Sequence, residues 1–275
     1  MQRMLHKMAF TAGLGVLLVW SLFPLWFAVV SSFSTDTQLY QPHYWPPSGY
    51  LGNYIDLFQR TRLLRGMVNS LIVGVVALAA TLTLALLAAY PLARIAFPGQ
   101  RLLLFAVIST SMFPQVAVLA GIYEAFTALG LYNSLSAVVL ADLLILLPFS
   151  LWLMTAYMRA LPRDLEDIAV IDGAGPLVIL LRVYLPLLWP GMAATGLLAF
   201  IVVWNEFLFA LTFTLTEDKH TAPVALSILG GTVVHAVPWG PLMAACVVLT
   251  LPCAALLLVF QREIVSGLTS GAVNG

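Results

Sequence analysis

A chain of 275 residues that is 61% hydrophobic and only 9% charged, with mean hydropathy +1.00, is far from the soluble norm of about 25% charged residues. Twelve acidic residues balance twelve basic ones, so no net field recruits nucleic acid, and no basic tract with interleaved aromatics marks a nucleic-acid surface. The composition implies an all-α integral membrane protein.

In chain order, Met8 to Val30 is an apolar run behind Arg3, His6 and Lys7, long enough to cross about 30 Å of hydrocarbon. It reads as an uncleaved first span with a cytoplasmic N-terminus, because its core is too long for a signal peptide. Ser31 to Arg65 is polar and aromatic, with Leu51 to Arg65 expected as a short amphipathic helix on the membrane surface. Span two covers about residues 66–93, and Pro98-Gly99 turns the chain. Span three, 102–122, is broken by Pro114 and followed by Gln115, which reads either as a pathway residue or as a helix–helix hydrogen bonder. Span four, 135–157, holds Asp142. Span five is placed at 191–215 with Asn205 and Glu206 inside it, and span six at 240–260. Cys246 and Cys253, seven residues apart on one helix, are separated by about 10 Å along the axis, too far for a disulfide. They also lack the companions of a zinc site.

Six spans put both termini on one side. Eight basic residues (Arg3, Lys7, Arg94, Arg101, Arg159, Arg163, Arg182, Arg262) then fall inside and four (Arg60, Arg62, Arg65, Lys219) outside, which orients the termini and the segment 161–190 toward the cytoplasm.

That segment is the charged island of the chain. Pro162 suits a first helical turn, and Asp164, Glu166 and Asp167 complement the positive end of the helix that follows. Asp172-Gly173 predicts a left-handed stop, and Pro186 and Pro190 predict two bends before span five. A simple reversal needs only a few residues, so about thirty patterned ones suggest a docking element for a partner.

The spacing Asp167-Ile-Ala169, three residues, Gly173, nine residues, Val183-Tyr-Leu-Pro186 resembles the EAA loop of binding-protein-dependent ABC importer permeases. Asp167 stands for the family's Glu, Ile168 for its first Ala and Val183 for Ile. Ala88-Ala-Tyr-Pro-Leu-Ala-Arg94, Met112-Phe-Pro-Gln115, Leu129-Gly-Leu-Tyr-Asn-Ser134, Ile171-Asp-Gly-Ala174, Trp204-Asn-Glu-Phe-Leu208 and Gly267-Leu-Thr-Ser-Gly-Ala-Val273 are similar to the maltose-type sugar permeases in order and spacing.

The resemblance implies one transmembrane domain over residues 1–275 in a bacterial or archaeal inner membrane. It further implies a second homologous permease, two ATPase subunits that use ATP and magnesium, and an extracytoplasmic binding protein that delivers a sugar. Asp164, Glu166, Asp167, Ala169, Asp172, Gly173, Ala174 and Pro186 would couple to an ATPase, and the tail Gly267, Leu268, Thr269, Ser270 and Gly271 would reach between the two ATPases. Gln115, Tyr123, Asp142, Asn205 and Glu206 are candidates for the substrate pathway or gate, with Asp142 bonding either a sugar hydroxyl or a neighbouring helix. A glycerophosphodiester or polyol is the alternative solute.

No lysine lies in a P-loop pattern, so the chain is not itself an ATPase and binds no cofactor of its own. Its histidines fall outside the expected spans, which argues against an intramembrane protease, and no filter motif suggests a channel.

Overall fold

The computed structural model describes residues 2–35, 38–40, 44–46, 49–231 and 237–272, with the side chains at 2, 5, 40, 60 and 263–272 outside that description. All regular elements among the described residues are helical. Five helices are long and apolar enough to cross a membrane, and six spans result if one bent pair counts as one. The chain divides into two compact units, Met1–Leu64 with Ala225–Pro252 and Arg65–Val224 with Cys253–Gly275.

In the first unit, α1 (Gln2–Ser32) spans 31 residues, or about 46 Å at 1.5 Å per residue. Most of its apolar side chains, Trp20 among them, stay exposed, and burial begins only at its C-terminal end with Val30, as befits a helix that meets lipid or another chain. The carbonyls at its C-terminal end are closed by α2 (Gly52–Arg60): Asn53 Nδ2 donates to the carbonyls of Ser32 at 2.9 Å and Ser34 at 2.8 Å. Ser32 Oγ and Tyr54 Oη also hydrogen-bond at 2.7 Å. With Asn53 and Leu57 buried, α2 is fastened to the protein by one face, while Ile55 and Phe58 stay exposed on another.

The second unit begins in α3 (Leu63–Arg94). The expected third span is two helices, α4 (Gln100–Thr110) and α5 (Gln115–Ala128), bent by 92°. The break is built by hydroxyls as much as by Pro114. Ser109, Thr110 and Ser111 donate back to the carbonyls of Phe105, Val107 and Ile108, and Pro114 then sits extended at ψ 132°.

The turn into α6 (Leu135–Ala160) accounts for the run Leu129 to Ser134. Gly130, at φ +69°, ends α5 with its N–H on the Thr127 carbonyl and the Leu131 N–H on the Phe126 carbonyl, the paired bonds of a glycine helix stop. Ser134 Oγ caps α6 by accepting from the Ala137 N–H at 3.2 Å. Asn133, at φ +57°, accepts on Oδ1 from the N–H groups of Leu215 at 2.9 Å and Thr216 at 3.1 Å. Asn133→Ala is therefore expected to lower stability by about 1–2 kcal/mol, read as a drop in the unfolding midpoint of the purified protein; no drop would remove Asn133 as the fastener.

After α7 (Asp164–Ile171), one turn, α8 (Pro176–Val178), runs through a π-helical segment, Ile179–Tyr184, into α9 (Leu185–Trp204). The fifth candidate span is thus Pro176–Trp204 and not 191–215, and Pro186 and Pro190 lie inside it instead of bending the chain ahead of it. A proline ring clashes with the carbonyl four residues back in an α-helix. Arg182, four before Pro186, lies in the π segment, whose hydrogen bonds reach one residue further. Short α10 (Leu208–Phe213), α11 (Ala222–Gly231) and α12 (Trp239–Ala272) complete the chain.

Two apolar clusters hold the second unit together. One joins Val73 and Ala77 of α3 to Ala137, Ala141, Val203 and Phe213. The other joins Ala85 and Ala89 to Met154, Met158, Tyr184 and Leu188. Small residues bring the backbones close, most tightly at Gly191, where a Cβ would lie 2.7 Å from the Tyr157 ring.

Candidate functional site

The polar segment after α6 folds as expected into a short helix with acidic residues in its first turn, Asp164, Glu166 and Asp167. Its stop is the glycine motif predicted from Asp172-Gly173. Gly173 has φ +78°, its N–H donates to the Val170 carbonyl at 3.0 Å, and the Ala174 N–H donates to the Ala169 carbonyl at 2.9 Å.

The helix has two faces with different destinations. Leu165, Ala169 and Ala174 are half-buried, and Ala169 and Ala174 pack on the cluster around Tyr184 and Met158. Asp164, Asp167, Ile168, Ile171, Asp172 and Gly173 are exposed, Ile171 to 84%. With Ile168 at 59%, it gives this face an open apolar patch among acidic residues.

Glu166 belongs to the inner face, unlike its expected place among the docking residues. Its Oε1 accepts from Tyr90 Oη at 2.7 Å and its Oε2 from Tyr184 Oη at 2.8 Å. Arg94 Nε stands 3.7 Å from Oε2, and the guanidinium lies 4.7 Å over the Tyr184 ring. One carboxylate thus ties α7 to the end of α3 and to the π segment ahead of α9. Pro186, also expected at the docking surface, is part of α9.

Arg94 has a second task that sequence reasoning missed. Its Nη2 donates to the carbonyls of Met158 at 2.7 Å and Leu161 at 2.9 Å, at the end of α6. In return Arg159 of α6 donates from Nη2 to the Leu92 carbonyl at 2.9 Å, at the end of α3. Each helix lends its last-turn arginine to close the other's free carbonyls. The signal was present in part, because Tyr90 and Arg94 stand four apart and share a helix face.

The pathway candidates separate. Gln115 opens α5 and lines a cleft of about 640 Å³ between the α4–α5 break, α6 and Phe209. The lining is mainly apolar, so Gln115 supplies much of its polarity. Tyr123 is not part of that lining: it stacks on Phe213 at 6.5 Å and meets Tyr132 edge-on at 5.7 Å. Asn205 donates to the Ile201 carbonyl at 2.8 Å. Glu206 turns back to cap α10, accepting from the N–H groups of Phe209 at 2.7 Å and Ala210 at 2.9 Å. A helix break and its cap account for that carboxylate.

Asp142 is 1% exposed, and neither of its oxygens has a hydrogen-bond partner among the described residues. Of the two roles expected for it, a bond to a neighbouring helix is therefore not formed here. A buried carboxyl without a partner works against the fold. Asp142→Leu is expected to stabilise the chain by roughly 1–3 kcal/mol, seen as a higher unfolding midpoint; a lower midpoint would mean that the carboxyl is bonded in the working protein.

Toward the other end of α3, Asn69 Nδ2 donates to the carbonyls of Asp218 and His220, each at 2.8 Å, and Ser70 Oγ accepts from the Ala222 N–H at 2.9 Å. The segment 218–222 is therefore pinned to α3, and the chain continues as α11. The Asp218 carboxyl, fully solvated, is held below its ordinary range by a hydrogen bond from Thr216 and by the charge of Lys219. The tail residues Gly267, Leu268, Thr269, Ser270 and Gly271 continue α12, but their side chains lie outside the described residues.

Comparison with known proteins agrees with this architecture. The chain is 35% identical to the trehalose/maltose transport system permease protein MalG of Thermococcus litoralis, over 100% of this chain and 99% of that one. It is 37% identical to the sulfoquinovosyl glycerol transport system permease protein SmoH of Agrobacterium fabrum, over 94% and 91%. A subunit in the crystal structure of a bacterial ABC transporter that imports the acidic polysaccharide alginate shares the fold, with TM-score 0.83, 21% identity and coverage of 94% and 96%. Residues 11–269 match the profile of the binding-protein-dependent transport system inner membrane component. An extended match of that kind, carried by several long apolar helices and an exposed glycine-stopped helix between two of them, makes this chain a multi-pass inner-membrane member of that family.

Proposed function

We propose that the chain is the permease subunit of an ATP-driven importer, moving a sugar delivered by an extracytoplasmic binding protein through alternating access. It pairs with a second, homologous permease and with two ATPase subunits, which supply the ATP and magnesium chemistry. The exposed face of α7 carries this reading: Ile168 and Ile171 among Asp164, Asp167 and Asp172 form an apolar knob in an acidic collar, suited to a cleft with basic walls. Likeness over 84% or more of the chain to permeases named for trehalose, maltose and a glycosyl glycerol supports a sugar as the solute.

In this reading both termini and α7 face the cytoplasm. ATP closes the ATPase pair and carries α7 inward. Glu166, Tyr90 and Tyr184 pass the displacement to α3 and α9. The ligand that drives such a switch must favour one state by a few kcal/mol. The tail beyond α12 reaches between the ATPases, and Gln115 contacts the passing solute.

The test is uptake of labelled trehalose and maltose into liposomes holding the full complex. Accumulation that requires both ATP and the binding protein is the expected result. Equilibration without ATP, or purification of the chain free of any ATPase, would refute the importer.

A further inference from the structure

A cleft of about 250 Å³ opens where α3, α4 and α6 end together, lined by Arg94, Gln100, Arg101, Arg159 and Arg163 with Ile95 among them. Four guanidinium groups surround it and no carboxylate lines it. Arg94 and Arg159 are committed to helix-end carbonyls, and Arg94 also faces Glu166. Arg101 and Arg163 are exposed, and neither makes an ion pair among the described residues. Counting Glu166 as one negative charge, the two helix C-termini as roughly half a charge each and the N-terminus of α4 as roughly half a positive charge, the cleft keeps an excess of about two and a half positive charges.

A second observation points to what neutralises it. The cleft sits where the candidate spans Leu63–Arg94 and Leu135–Ala160 end and the bent span begins, at the depth of a headgroup. From its floor rises α4, which has no buried residue; Leu102 is 71% exposed and Phe105 68%. An anion held in the cleft thus has an apolar track beside it, leading into the hydrocarbon.

We infer that this arginine cleft binds the phosphate headgroup of an anionic phospholipid, whose acyl chains lie along α4. A soluble phosphate would satisfy the charge but leave the track unused, and basic pockets between spans suit headgroups. Arg163 of the cleft is also the N-cap residue of α7, but the ligand of the cleft is not the transported solute.

The experiment compares lipid retention by the purified complex, using native mass spectrometry with phosphatidylglycerol and phosphatidylcholine supplied in equal amounts. Wild type should keep phosphatidylglycerol in preference. Arg101→Ala with Arg163→Ala should reduce that preference by about thirtyfold, at roughly fivefold per arginine, while Arg182→Ala, the loss of another exposed arginine, should leave it unchanged. Equal retention of the two lipids by wild type, or an undiminished preference in the double variant, overturns the proposal. So does stabilisation by inorganic phosphate at the concentrations where phosphatidylglycerol acts, which would assign the cleft to a soluble anion. Loss of the ATPase from the double variant with lipid retention intact would mark a protein contact and overturn it as well.

Discussion

Vesicles whose permease carries Gly173→Trp should hydrolyse ATP while importing at least about tenfold less sugar per ATP, the scale of a lost differential contact of 1–2 kcal/mol. Gly173 stands at φ +78°, a conformation that costs other L-residues about 1–2 kcal/mol. A Cβ added there meets nothing within 4 Å. The indole would therefore project from the exposed face of α7 beside Ile171 and Asp172, and would not disturb the apolar clusters beneath. The two hydrogen bonds of the stop, from Gly173 and Ala174, would loosen as the backbone relieved its strain. Gly173→Asn, which tolerates the left-handed region, should keep most of the activity. Normal transport per ATP in the tryptophan variant would sink the docking role of this helix.

Glu166→Gln should cost about 3 kcal/mol of stability and, with it, the connection of α7 to the spans. The Arg94 side chain is 3% exposed and loses the carboxylate that faces it, leaving its charge against only the carbonyls of Met158 and Leu161 and the Tyr184 ring. That places the loss well above a surface ion pair. The 3.7 Å separation and the 20% exposure of the Glu166 side chain hold it at the low end of the range for buried pairs. Tyr90→Phe and Tyr184→Phe should each cost about 1 kcal/mol, and neither should add its full effect once Glu166 is gone. Thermal unfolding, in one detergent, of the three single variants and of the two doubles that combine Glu166→Gln with either tyrosine change reads all of this. Additive losses would show that the tyrosines and the carboxylate do not act as one group.

The long apolar helices were legible because crossing hydrocarbon needs about twenty apolar residues whatever surrounds them. The stop at Gly173 was legible because a local motif needs only local residues. What escaped the sequence was mostly register and distance. Pro186 reads as a bend only if the turn before it is α-helical, and the π segment there removes that premise; Pro190 is carried inside α9. Glu206 looked like a pathway acid because its flanks are so apolar; its partners, three and four residues on, become visible only once the helix is known to stop at Trp204. Glu166 meets Tyr90 across 76 positions of chain, a contact for which one sequence carries no signal. The short amphipathic helix expected from Leu51 to Arg65 forms over Gly52–Arg60, but its attachment to the end of α1 through Asn53, 21 and 19 positions from its partners, carried no signal in the sequence.

The exchange of arginines between α3 and α6 makes the two helices gauges of each other's length. Arg94 reaches the end of α6 only if α3 presents it at the right height and angle, and Arg159 sets the same condition in reverse. One residue inserted into either helix would turn its arginine by about 100° and move it about 1.5 Å along the axis, leaving the partner's carbonyls open and displacing its own. These two helix ends can therefore change only together. Insertions and deletions should be tolerated in the connection after Arg94 but not within the turns that precede it.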